Sequence, residues 1–331
     1  MIKQIVLASR PKGLPTKENF RTEEISLPDV KEGEVLLKGL FYSVDPYMRG
    51  RMNDAKSYVP PFEVDAPIVG GAVAEIVESK SADFKKGDIV KGNLPWATEA
   101  VIVSKAIQKI DTGLAPTSYY LGILGMPGLT AYFGMIDIGK PKSDETIVIS
   151  GAAGAVGIVA GQIAKLKGCK VVGIAGSDEK IKMLKEEFNF DEGINYKTTI
   201  NIKEAIKKAC PNGVDIYFDN VGGEISDAVI SNINFHARII LCGQISLYNA
   251  TEIPVGPRLQ PMLLTRSVLM QGFIVSNYES KFSEGIQQLS QWVKEGKLKY
   301  KETIVDGFDK LPEALLGIFA GSNTGKMIVK S

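Results

Sequence analysis

Histidine and cysteine are scarce in this chain of 331 residues, which has one histidine, His236, and three cysteines, Cys169, Cys210 and Cys242. Zinc sites draw most of their ligands from these two residue types, so no catalytic metal is expected. An odd number of widely spaced cysteines offers neither a disulfide framework nor a C-x-x-C pair, and it fits a reducing compartment. His236 stands just ahead of an expected strand and reads as a helix-end or surface polar residue, with a proton donor as the alternative. Charge of one sign is lacking too: 39 Lys and Arg face 38 Asp and Glu. Such a balance gives no field for nucleic acid or anionic lipid. There is no uninterrupted apolar run of about 20 residues, and Met1-Ile-Lys-Gln-Ile lacks the basic-then-apolar layout of a signal peptide. The default expectation is therefore a cytoplasmic protein that does not enter a membrane.

At 331 residues the chain exceeds what one hydrophobic core usually organises, so two domains are expected. From Glu34 to about Lys109, short alternating apolar runs such as Val35–Tyr42, Ile68–Val77, Asp88–Gly92 and Ala97–Val103 predict an antiparallel, barrel-like β domain. From about Tyr119 to Lys297 the pattern becomes strands alternating with helices. The strands are Ile147–Ser150, Val171–Ala175, Gly193–Tyr196, Val214–Asp219, Arg238–Gly243 and Val268–Val275, which predicts a doubly wound parallel sheet of six strands. A helix is expected from Tyr278 to Gly296, and Thr324–Lys330 reads as a strand returning to the first domain. The division is thus a substrate domain of residues 1–118 and 298–331 around a dinucleotide-binding domain of residues 119–297.

Thr146–Gly157 is an apolar, β-branched strand that turns through small residues straight into a helix. Gly151, Gly154 and Gly157 keep side chains away where a phosphate must approach, and exposed N–H groups at the start of the following helix can face a pyrophosphate, with Ala152, Ala155 and Val156 as the other residues of that site. Ala152 replaces the first glycine of the G-x-G-x-x-G pattern. The helix carries Val159, Ala160, Ile163 and Ala164 on one face, and Lys170–Ala175 is a second strand, completing a β-α-β unit of about 30 residues. NAD-specific folds usually place an acid roughly 20 residues past the glycines. Here the second strand runs into Gly176 and Ser177, small residues that leave room for a 2′-phosphate, with Lys180 as a nearby cation. Asp178 is open to two readings, a ribose ligand or a first-turn helix residue behind Ser177 as the cap. The alternative for Lys180 is a solvated helix residue.

The layout of a β domain, an inserted nucleotide domain and a C-terminal return resembles the medium-chain dehydrogenase/reductase superfamily. Six segments sharpen the resemblance: Ser43–Arg49, Leu124–Tyr132, Gly151–Gly157, Asp219–Gly223, Cys242–Asn249 and Asn323–Lys326. They are similar to the zinc-independent branch that contains leukotriene B4 12-hydroxydehydrogenase/prostaglandin reductases, alkenal double-bond reductases and curcumin reductases. Where zinc-dependent relatives carry Gly-His-Glu, this chain has Val69-Gly-Gly-Ala-Val73, and their cysteine-rich loop is missing.

The resemblance implies a GroES-like β domain beside a Rossmann domain, and NADP(H) as cofactor, with Lys180 and Tyr196 matching residues that bind the 2′-phosphate. It further implies Met126 and Thr130 by the nicotinamide half, Asn220 and Gly243 beside it, the backbone of Phe273, Ile274 and Val275 flanking it, and Asn323 near the pyrophosphate. Tyr248 matches a tyrosine at the substrate carbonyl, and Tyr47 a residue lining the substrate cleft between the domains. The alternatives are a packing role for either tyrosine, or cofactor ribose hydroxyls acting at the carbonyl.

Without a metal to polarise a carbonyl, hydride addition to an activated carbon–carbon double bond is the better-matched chemistry, since a hydrogen-bond donor suffices for the enolate oxygen. The implied activity is NADPH-dependent reduction of α,β-unsaturated aldehydes or ketones. The competing possibilities are a quinone reductase and a non-catalytic NADPH-binding structural or RNA-binding protein. A small-molecule substrate, no nucleic acid or membrane partner, and a homodimer complete the expectation.

Overall fold

The computed structural model describes all 331 residues. Near the N-terminus come β1 (Ile2–Leu7), β2 (Phe20–Ile25), β3 (Glu34–Ser43), α1 (Tyr47–Arg51), β4 (Val69–Ser79), β5 (Ile89–Pro95), β6 (Glu99–Val103) and β7 (Ile107–Lys109). A run of alternating elements follows: α2 (Met126–Phe133), β8 (Thr146–Ser150), α3 (Ala155–Leu166), β9 (Lys170–Ala175), α4 (Asp178–Phe188), β10 (Glu192–Asn195), α5 (Ile202–Ala209), β11 (Val214–Asp219), α6 (Gly223–Ile230), β12 (Ile233–Leu241), α7 (Gln260–Thr265), β13 (Leu269–Gly272) and α8 (Phe282–Lys294). The chain closes with β14 (Glu302–Asp306), α9 (Leu311–Ala320) and β15 (Lys326–Lys330). No helix is long and apolar enough to cross a membrane.

Two compact units result. The first comprises Met1–Gly122, Glu302–Asn323 and Met327–Ser331, and the second Ile123–Lys301 and Thr324–Lys326. In the first, a seven-stranded sheet runs β14-β15-β3-β4-β5-β7 with β6 also on β3, and β1 pairs with β2. Its long strands alternate because one face is packed: Val35 and Leu37 on β3, with Ala72, Ala74 and Ile76 on β4, point into a core that also holds Trp96, Phe20 and Leu315. The last strand joins antiparallel to β3, with Ile328 opposite Ser43 and Val329 opposite Tyr42.

In the second unit six parallel strands run β10-β9-β8-β11-β12-β13. This is the doubly wound sheet that the strand and helix pattern predicts. Strand order reverses between β8 and β11, so their carboxyl ends open the crevice where such sheets bind ligands. Every residue of β8 is buried, which is why it reads as a continuous apolar run instead of an alternation.

Three local expectations are corrected. The expected strand Arg238–Gly243 is β12, beginning at Ile233 and ending at Leu241, and it contains His236. There the β11–β12 register slips between Val214 and Ile216, and His236 sits at φ 58°, exposed, with its N–H on the Arg266 carbonyl at 2.8 Å. It is a bulge residue, not a helix end. Secondly, β13 stops at Gly272, short of Val275. Thirdly, α8 starts at Phe282, because Asn277 Oδ1 accepts the Ile274 N–H at 3.0 Å and Tyr278 departs from helical geometry, leaving a 3₁₀ stretch over 275–281.

Arg238 shows how β12 is anchored. Its guanidinium donates to both carboxylate oxygens of Glu145, at 2.8 and 2.6 Å, and to the carbonyls of Gly139 and Lys140. Burial pushes the Glu145 carboxyl up, but hydrogen bonds from Arg238 and the Lys142 N–H outweigh it and hold the group below its ordinary 4.5. A depressed carboxylate contributes stability that is present above the unfolded value and lost as pH falls through the folded one. Arg238→Met should therefore lower the thermal unfolding midpoint at neutral pH, a loss of about 2 kcal/mol. The gap from the parent should narrow below the ordinary Glu145 value of 4.5. A gap that stays constant with pH would remove Glu145 from the explanation.

Candidate active site

The turn after β8 is shaped by backbone contacts. Gly151 lies at φ 59°, which strongly favours glycine, the Ala152 N–H bonds the Ile174 carbonyl of β9 at 3.0 Å, and the Gly154 N–H returns to Gly151 O at 3.0 Å. A Cβ on Gly157 would sit 2.5 Å from Gly151 O and 2.7 Å from Ala152 Cα, so the first turn of α3 packs directly on the loop that precedes it. Gly325 pins the turn from outside, its N–H on Ala153 O at 2.8 Å. The twelve residues of α3 thus begin with no side-chain cap, and Gly154, Ala155 and Val156 are partly exposed. Uncapped amides at a positive helix end, on a turn with no side chain in the way, fit a pyrophosphate.

Beside this turn, at the end of β11, Asp219 is fully buried. Its Oδ1 accepts from Ser150 Oγ at 3.0 Å, Tyr217 Oη at 2.8 Å, Val221 N–H at 3.0 Å and Gly222 N–H at 2.9 Å. Its Oδ2 accepts from Ser226 Oγ at 2.9 Å and Gln244 Nε2 at 3.1 Å. Asn220, the next residue, donates Nδ2 to Ser150 O at 2.7 Å and its N–H to Ser150 Oγ at 3.0 Å. One carboxylate therefore ties the ends of β8 and β11 to the start of α6 and to the loop after β12.

That loop carries Gly243 and Tyr248. Tyr248 is half-buried, and its hydroxyl oxygen accepts the Gln244 N–H at 3.3 Å. Gln244 is the residue whose side chain Asp219 holds, so the buried acid orients the tyrosine through one intermediary. Burial pushes the Tyr248 hydroxyl above its ordinary 10.0, against the Gln244 hydrogen bond. Burial, and then the Asp219 charge, push the Cys242 thiol up to about 12, which removes it as a nucleophile at neutral pH.

Elsewhere in the second unit, Met126 opens α2 and is partly exposed, while Thr130 is buried and donates its hydroxyl to Met126 O at 2.7 Å. Phe273 is buried against Tyr278, which stacks on Phe133 at 4.7 Å. Its side chain belongs to the core. The N–H and C=O of Ile274 are both taken by Asn277, which fixes the backbone at the centre of the 273–275 segment. At the end of β9, Ser177 caps α4, accepting the Lys180 N–H at 3.3 Å, and Gly176 faces Tyr196. Lys180 is held below the usual lysine range by burial and by the neighbouring Lys197 cation. Asp178 accepts from Asn195 Nδ2 at 2.8 Å, in the first turn of α4.

Tyr47 and Asn323 belong to the first unit. Tyr47 is packed against that unit's core, and burial, then the Asp45 charge, raise its hydroxyl well above the usual phenol range. Asn323 is half-buried just before β15. Asp219, Ser150 and Gln244 escape the sequence reading as site residues. The available signal was an acid closing the apolar run Ile216–Phe218 at the point where strand order reverses.

Residues 3–110 match the family described as N-terminal domain of oxidoreductase, and residues 155–293 the family described as Zinc-binding dehydrogenase. The metal in the second description finds no counterpart here, because no three His, Cys, Asp or Glu side chains are grouped to hold an ion. A Bacillus subtilis (strain 168) protein named "Putative NADP-dependent oxidoreductase YfmJ" is 59% identical over 329 residues, covering 99% of this chain and 97% of its own. NADPH-dependent curcumin reductase of Escherichia coli (strain K12) is 44% identical over 330 residues, covering 98% and 95%. The crystal structure of CurA in complex with NADPH from Vibrio vulnificus superposes with a TM-score of 0.95 at 44% identity, over 99% of both chains.

Asp219→Asn swaps an acceptor oxygen for an amide donor facing donors. It should destabilise the protein by about 2 kcal/mol, measured by thermal unfolding. Unchanged stability would show that the six hydrogen bonds are interchangeable with water.

Proposed function

This chain belongs to the zinc-independent branch of the medium-chain dehydrogenase/reductase superfamily, and from that premise we propose that it reduces the carbon–carbon double bond of α,β-unsaturated aldehydes or ketones. It is an NADPH-dependent oxidoreductase of the curcumin and prostaglandin reductase type. Gly151, Ala152, Gly154, Ala155, Val156 and Gly157 would line the pyrophosphate, with Asn323; Ala152 and Gly154 would offer space and not donors, because their N–H groups are taken by the Ile174 and Gly151 carbonyls. Gly176, Ser177, Lys180 and Tyr196 would hold the 2′-phosphate. Met126, Thr130, Asn220, Gly243, Tyr248 and the 273–275 backbone would border the nicotinamide, and Tyr47 the substrate. When bound, the coenzyme supplies the hydride.

The observation that carries the reading is the state of Tyr248. Conjugate reduction delivers negative charge to a carbonyl oxygen, where a neutral donor is enough. A phenol raised above 10.0 keeps its proton at physiological pH, so it acts as a donor and not as a base. Its oxygen already accepts from the Gln244 N–H, which leaves the O–H to give to a substrate and strengthens it as a donor. Half-burial lowers the local dielectric and increases the value of that bond to a developing oxyanion.

NADPH absorbance followed with an enal, an enone and a quinone tests the assignment. Oxidation with the enal and enone, untouched by a chelator, is expected; oxidation with the quinone alone overturns the reading, and none with any acceptor favours a non-catalytic role. In the same assay Tyr248→Phe should lower kcat about 10²-fold with a small enone while leaving NADPH affinity nearly intact. Unchanged turnover would transfer the role to the coenzyme's ribose hydroxyl.

We further infer a homodimer through β13. It is the open edge of the six-stranded sheet, Leu269 on it is half exposed, and Ile253, Val255 and Leu264 of the same unit are almost fully exposed beside a groove of about 590 Å³ lined by residues 253–260, Leu263 and Met270. An uncovered apolar edge of this kind invites pairing with a second copy. Light scattering should give twice the chain mass, and Leu269→Lys should shift it toward one; a monomeric parent would discard the inference.

A further inference from the structure

The turn that follows β10 sets Tyr196 and Lys197 side by side at the end of β9. Tyr196 takes the Ala175 carbonyl with its N–H at 3.1 Å, which seats it beside the end of β9. A Cβ built on Gly176 would lie 3.1 Å from Tyr196 Oη and 3.2 Å from Lys197 Cε. The phenol and the second lysine therefore converge over the one residue at that strand end that has no side chain. Lys180 approaches from the first turn of α4, and it feels the Lys197 charge. Two ammonium groups drawn together repel one another, an arrangement that is relieved when a multiply charged anion settles between them.

Asp178 would be expected to spoil such a site or to claim a ribose hydroxyl. Its carboxylate is instead engaged by Asn195 Nδ2, at 2.8 Å, while Asn195 Oδ1 accepts the Lys197 N–H at 3.1 Å. The Asn195 amide is thereby fixed in orientation: the acid holds its nitrogen, and its oxygen is left to shape the Tyr196–Lys197 turn.

We propose that Lys197 is a second cation for the 2′-phosphate of NADPH, and that Asp178 is a positioning residue that holds the Tyr196–Lys197 turn through Asn195. This rests on the reading of Lys180 and Tyr196 as the 2′-phosphate site, and it adds a specificity-determining side chain and its support. An exposed lysine becomes a phosphate ligand because the turn points it over Gly176. The acid that would mark an NAD-type fold supports the opposite preference.

Calorimetric titration of the full chain with NADPH, NADH and 2′,5′-ADP tests it without any turnover. Lys197→Ala should weaken NADPH and 2′,5′-ADP by at least about tenfold and leave NADH within about twofold. Asp178→Ala should weaken NADPH about fivefold through loss of the turn, and Asp178→Asn, whose amide oxygen still accepts from Asn195, should restore it. Retained NADH affinity shows that each variant is folded. If Lys180→Ala lowers the NADPH preference and Lys197→Ala does not, Lys197 is only a solvated side chain and the proposal falls while the underlying site stands. If neither substitution changes the preference, the underlying site falls as well. If Asp178→Ala tightens NADPH or selectively weakens NADH, the acid acts by its charge or on the ribose, and its positioning role is wrong.

Discussion

A carboxylate removed from water has to recover its lost hydration from protein donors, and Asp219 does so with six. Partial satisfaction of a buried charge is far more costly than a missing surface contact, so these donors are held together nearly as one unit. They come from the end of β8, from β11 itself, from the loop into α6, from α6 and from the segment after β12. The rigidity of the crevice at the carboxyl ends of β8 and β11 follows from that electrostatic demand. Ser150, which leads into the glycine-rich turn, and Gln244, which donates to Tyr248, are both among the donors to Asp219.

This arrangement divides labour between backbone and side chains. Around the turn after β8 the work is done by N–H groups and by the absence of Cβ atoms, which is why small residues dominate Gly151–Gly157. Around Tyr248, on the function proposed above, a single hydroxyl matters, and its usefulness depends on which of its hydrogen-bonding capacities is already spent. Accepting from the Gln244 N–H occupies the oxygen and leaves the O–H as the group to donate. Burial alone would have raised the phenol without telling it where to point.

Much of the fold was legible because its signals are local. An apolar β-branched run, a turn of small residues and a 3.6-residue periodicity follow one another within Thr146–Ala175, and no distant contact is needed to read them. Strand ends were less legible. β12 extends back to Ile233 through a bulge at His236, and no single-strand pattern encodes a register slip against β11. The start of α8 was misread because Asn277 caps the backbone of Ile274, a side-chain bond that competes with helix in a stretch of otherwise helical periodicity. Site residues divided in the same way. Lys180 stands next to its strand in sequence and could be named, whereas the importance of Asp219 lies in partners up to 69 residues away.

The brace on the glycine-rich turn comes from Gly325, far downstream of the Ala153 carbonyl that it binds. A ribosome releases the turn early and its brace late. While the nascent chain lengthens, the glycine-rich loop has its strand and helix but lacks this outer tether until residues 324–326 are made. A chain cut short in that region would lose β15 as well, the strand that joins β14 to β3, so the outer tether of the turn and the closing strand of the first unit's sheet are delivered by the same last few residues.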